Sequence, residues 1–159
     1  MIKNKNLPDS QGRTLIKNKN LPDSQGRTLI KNIIMTPEEQ AKFLFENACR
    51  TLRLAGFNFQ VMKRVKPVTP KKSFRIAYIN LKTKKLVLDI YTPRTRSPKK
   101  PSVILRTLAH ELAHAQRPPY RQLWRGKIIN RAHYPRFYKQ ISKNIAKFKK
   151  DKVLSKFFT

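Results

Sequence analysis

Between Ser102 and Gln116, Ile104, Leu105, Leu108, Leu112 and Ala115 recur at the spacing of one helix face, and Pro118 and Pro119 stop the pattern. The same segment carries His110, Glu111 and His114 in the pentad His-Glu-Leu-Ala-His. It therefore predicts a helix that buries one side in a core and carries chemistry. Residues four apart on a helix share a face with Cβ atoms about 5–6 Å apart, so both imidazoles can point at one ion. Imidazole nitrogens suit Zn²⁺, and a catalytic zinc keeps three protein ligands with a fourth place for water, whose pKa falls to about 7. One zinc ion is expected, with Glu111 as the general base that takes the proton of the attacking water and passes it to the leaving amine. The reaction class this predicts is hydrolysis of a peptide bond.

A third ligand is needed, and the sequence narrows the choice. Arg117 and Tyr120 stand three and six residues after His114, where a second common zinc-peptidase spacing would need Gly and His. No glutamate follows Glu111, and the only later acid is Asp151. His133 is what remains of the three histidines. It stands at the entry of a helix predicted from Tyr134 to about Lys150, with Phe137, Ile141, Ile145 and Phe148 as its apolar stripe. A turn after the two prolines would bring that helix back across the first.

Upstream, Thr36, Pro37 and Glu39 spell a helix start with a capping box. Ala41, Leu44, Phe45, Ala48, Leu52 and Ala55 form its buried face, and Gly56 is placed to end it. Three β-prone runs follow, 57–61, 74–81 and 86–91, the last two expected to pair as a hairpin. The fold class is α+β: an N-terminal helix, a small three-stranded antiparallel sheet, the metal helix and a closing C-terminal helix, over residues 33–150. Residues 2–15 recur unchanged at 16–29, so 1–32 reads as a basic, unstructured tail with a duplicated unit, and 151–159 as a basic, partly apolar end free to pack, touch a membrane or fray.

Charge restricts the partners. Lys and Arg number 37 against 8 Asp and Glu, a formal net charge of +29, which predicts a polyanionic partner, nucleic acid foremost. The basic, proline-rich loops 63–72 and 92–101 supply Lys71, Lys72, Arg94, Arg96, Lys99 and Lys100 as phosphate contacts. With Cys49 as the lone cysteine, an intrachain disulfide framework and a four-cysteine zinc ribbon are excluded. No apolar run is long enough to span a bilayer, and no secretory leader is evident, so a monomer in a reducing intracellular compartment is expected, without integral membrane association.

The runs TLAHELAH (107–114) and HYPRFYKQI (133–141) resemble the SprT-like and WLM-type zinc metallopeptidases, and equally the minimal YgjP-like branch. The similarity covers roughly residues 73–141. It implies a sheet preceding the metal helix, His110, His114 and His133 as ligands, Glu111 as base, and, from the best-known members, digestion of proteins trapped on DNA. Tyr134 stands where the family has Gly, and the C-terminal zinc ribbon of many members is missing.

Tyr120, Tyr134 and Arg136 are candidate contacts to the transition state or substrate. Trp124 is expected in the core ahead of a base-stacking role, and Asp89 is a candidate acceptor for a ligand imidazole, behind a backbone carbonyl in a chain this poor in acids. The alternative function is a basic nucleic-acid-binding or packaging protein whose zinc site is structural or degenerate.

Overall fold

Thr36 is extended, its hydroxyl accepts the Glu39 amide at 3.3 Å, and the Glu39 carboxylate accepts the Thr36 amide at 2.8 Å. This reciprocal cap starts α1 (Pro37–Leu52) where the sequence places it. The computed structural model describes residues 35–64, 66–68 and 74–158. The duplicated segment 1–32, Lys71 and Lys72 lie outside them. Ala41, Leu44, Phe45, Ala48 and Leu52 are buried as expected. The helix nevertheless ends before Gly56, because Arg53 takes the left-handed cap conformation (φ 56°) and leaves Ala55 exposed beyond it.

After α1 come β1 (Asn58–Val61), β2 (Ala77–Asn80) and β3 (Lys85–Leu88). β2 and β3 pair antiparallel, with Tyr78 opposite Val87, as the hairpin reading requires. The sheet is mixed rather than wholly antiparallel: β1 pairs with β3 in parallel, Phe59 opposite Leu86, so the order is β1-β3-β2. Alternation of apolar residues reveals strands but not their order, and the crossover is made by the connection between β1 and β2. As the central strand, β3 buries Leu86, Val87 and Leu88 in succession.

α2 (Pro101–Gln116) packs on α1, on β2 and on α3 (Pro135–Lys150). Ile104, Leu105, Leu108 and Leu112 are buried in the common core, and Ala115 is half-buried. Each large apolar side chain so buried stabilises the fold by roughly 1.5–3 kcal/mol. The chain after α3 packs rather than frays, forming a short 3₁₀ turn (Leu154–Phe157) with Leu154 fully buried. No helix among the described residues is long and apolar enough to cross a membrane.

Asp89 binds no imidazole. Its carboxylate is buried and accepts from Arg64 at 3.0 Å and Arg96 at 2.9 Å, while the Lys99 ammonium donates to its backbone carbonyl. The crossover loop, the end of β3 and the 92–98 loop are tied at this one residue. Asp89→Asn leaves two guanidinium groups facing each other with no countercharge. It is expected to destabilise the domain by about 3 kcal/mol, the low end for a broken buried pair because both arginines keep some solvent. Urea unfolding should show a lower midpoint with an unchanged slope.

An element the sequence did not reveal lies between α2 and α3. Residues 120–131 form an antiparallel arm of β4 (Tyr120–Trp124) and β5 (Lys127–Arg131). Arg125 (φ 48°) and Gly126 (φ 72°) make its two-residue turn, the twist-matched kind that tight hairpins favour. Trp124 is 52% exposed on this arm, so the expectation of a core tryptophan is corrected.

Candidate metal centre

Two proline signals place the histidines. Pro118 and Pro119 stop α2 just past His114. Pro135 keeps Tyr134 extended (φ −147°, ψ 167°), so α3 starts only at Pro135 and His133 remains in the connecting segment ahead of it. The Tyr134 hydroxyl donates to the Pro118 carbonyl at 3.3 Å, fastening the entry of α3 to the exit of α2.

The three imidazoles converge. Ring centroids are 5.3 Å apart for His110 and His114, and 5.1 Å from each of these to His133. One nitrogen from each ring lies within 4.8 Å of the others. A tetrahedral ion with metal–nitrogen bonds of about 2.05 Å needs nitrogens about 3.4 Å apart, within reach of small side-chain rotations. The donor set fits a divalent metal: three nitrogens, no competing thiolate, and a side left open by the cleft. Phe137, fully buried in the first turn of α3, packs its ring 4.4–5.2 Å from all three imidazoles. It is the floor that limits where the rings can turn.

Electrostatics favour the ligand form. Burial, reinforced by the neighbouring imidazoles, pushes His114 down to about 4, and burial likewise lowers His110, so at neutral pH neither holds a proton that a metal would have to displace. Glu111 is 8% exposed, and burial pushes its carboxyl up to about 7, with the Arg75 guanidinium pulling the other way. Such a group is poised to exchange a proton near neutrality.

Glu111, His110, His114 and His133 line a cleft of about 830 Å³ whose far wall is β2 and the turn after it, including Ala77, Ile79 and Lys82. β2 is an edge strand of its sheet. The Asp89 amide donates to the Ile76 carbonyl, so the alternation of an antiparallel ladder turns the backbones of Ile76, Tyr78 and Asn80 toward β3. The N–H and C=O groups of Ala77 and Ile79 then face the cleft.

Other expected residues are placed differently. Tyr120, Tyr134 and Arg136 line a separate hollow of about 480 Å³ with Arg117, not the histidine cleft. Tyr134 is a fastener, and the Tyr120 ring meets its ring edge-on at 5.0 Å. Among the cations assigned to phosphates, Arg94 and Lys100 are exposed, whereas Arg96 and Lys99 turn inward onto Asp89. Arg75 was missed because one arginine in so basic a chain carries no signal. Asn144 was also missed: fully buried, it donates to the Ala109 carbonyl at 3.2 Å and to Gln116 at 2.8 Å, joining α3 to α2. Its signal was a polar residue seven after Phe137 and four before Phe148, on the apolar stripe.

The chain matches no family model, no curated protein and no solved structure.

Proposed function

We propose that this chain is a zinc-dependent peptidase acting on proteins held on nucleic acid. The observation that carries the proposal is a buried carboxyl, Glu111, next in sequence to the first of three converging imidazoles and lining with them a cleft walled by a sheet edge. Three imidazole donors suit zinc, which when bound polarises a carbonyl oxygen and makes water acidic enough to react at neutral pH. The residues of the chain do the rest. The exposed backbone of β2 holds an extended peptide as an added strand across the cleft. Glu111 takes the proton of the water whose oxygen joins the carbonyl carbon, then delivers it to the nitrogen as the C–N bond breaks. Arg75, drawing the Glu111 carboxyl down, helps keep it ready to accept.

A structural zinc in a basic packaging protein is the competing reading. It has no use for a buried glutamate beside the first ligand or for an open cleft. The net charge of +29 supports nucleic acid as the scaffold on which the substrate protein is met.

The β2 wall gives its own prediction. Ala77→Pro removes one cleft-facing N–H without touching the β3 ladder. It is expected to raise KM roughly fivefold, about one hydrogen bond, with kcat little changed. Steady-state cleavage of an extended peptide, with thermal unfolding to verify the fold, checks it; an unchanged KM would remove the added-strand model.

A further inference from the structure

The β4–β5 arm is an exposed surface that hydrolysis does not explain. Four of the five residues of β4 and all five of β5 are exposed, including Leu123, Trp124 and Ile128. Residues 117–131 hold Arg117, Arg121, Arg125, Lys127 and Arg131 and no acid. Cross-strand pairing puts Trp124 beside Lys127 and Tyr120 beside Arg131 on one face, and Leu123 beside Ile128 on the other. The Arg125 guanidinium stands 5.8 Å from the centre of the Trp124 ring.

We infer that this arm is a binding site for single-stranded nucleic acid, with Trp124 stacking a base and the flanking cations taking phosphates. An aromatic face among cations is what an unpaired strand requires, since every base offers a π-face and every linkage a negative charge. Two other occupants fit worse. Insertion into a bilayer would send the Arg125–Gly126 turn and Lys127 into hydrocarbon first. A second copy would set five cations against five. Pro119 and Ala132, the residues flanking the arm, line the histidine cleft, so both ends of the arm stand on its rim. A strand lying along the arm presents an attached protein to the cleft. That delivery rests on the proposed function; the binding does not, and it is tested without any hydrolysis.

Trp124 is the only tryptophan of the chain, so intrinsic emission reports on the arm alone. The full chain is titrated with single-stranded oligo-dT, with heparin as a polyanion lacking bases, and with phosphatidylglycerol vesicles. Oligo-dT is expected to quench the emission saturably, and heparin to bind with little quenching. Trp124→Ala is expected to weaken oligo-dT binding about tenfold at each salt concentration without changing the salt slope, because a stack releases no counterions. Trp124→Phe should restore most of the affinity, which separates lost stacking from lost folding, and Ile128→Ser, on the opposite face, should bind as the parent does. Saturable binding with unquenched emission, full affinity in Trp124→Ala, or a blue shift with vesicles but no response to oligo-dT would each overturn the inference.

Discussion

Glu111→Gln is expected to reduce cleavage of a protein bound to single-stranded DNA by about a thousandfold or more, the range a lost general base accounts for. Zinc content should stay at one ion per chain, because no ligand has changed. The substitution keeps the shape of a side chain that is already buried and removes only its capacity to hold a proton. A linked effect follows in the metal-free chain. The folded carboxyl titrates near 7 against an ordinary 4.5, so folding is penalised as pH rises through that interval. The variant should therefore gain stability over the parent by on the order of 1–3 kcal/mol at neutral pH and nothing below about 4.5. The histidines contribute equally to both proteins and cancel in the difference. Undiminished cleavage by the variant would remove Glu111 as the base, and no gain in stability would deny that its charge is desolvated.

His133→Ala is the second large effect. An outer-shell partner typically costs 10–100-fold in metal affinity when lost, and a ligand must cost more. Zinc affinity is expected to fall by more than about a hundredfold, read by competition with a chelator, and cleavage should fall with it. His133 is exposed and outside both helices, so the metal-free variant should unfold at the same denaturant concentration as the parent. If the variant kept full affinity, the two helical histidines would need another partner, and none of the described acids or cysteines lies with them in a cluster.

The helices and the pairing of His110 with His114 on one helix were legible because each rests on a local rule. The Thr36 cap, the stripe from Ile104 to Leu112 and the prolines at 118, 119 and 135 act over one or two turns. His133 was reachable by elimination among three histidines. What the sequence hid was pairing and partnership over distance. The parallel pairing of β1 with β3 depends on how a loop crosses the sheet, and no residue in either strand encodes it. The β4–β5 arm was missed because Arg-Gly replaces the usual Asn-Gly at its turn and because it buries neither face, so no alternation of apolar and polar residues marks it. Asp89 looked available to an imidazole only because its arginines are 25 and 7 residues away.

Cobalt(II) titration of the full chain tests the central claim most directly, since four-coordinate cobalt absorbs visibly and six-coordinate cobalt hardly does. Absorption that saturates at one equivalent, survives Glu111→Gln and vanishes in His110→Ala, His114→Ala and His133→Ala is the predicted result. Absent absorption in the parent chain, or absorption indifferent to His133, would contradict a centre built by these three imidazoles.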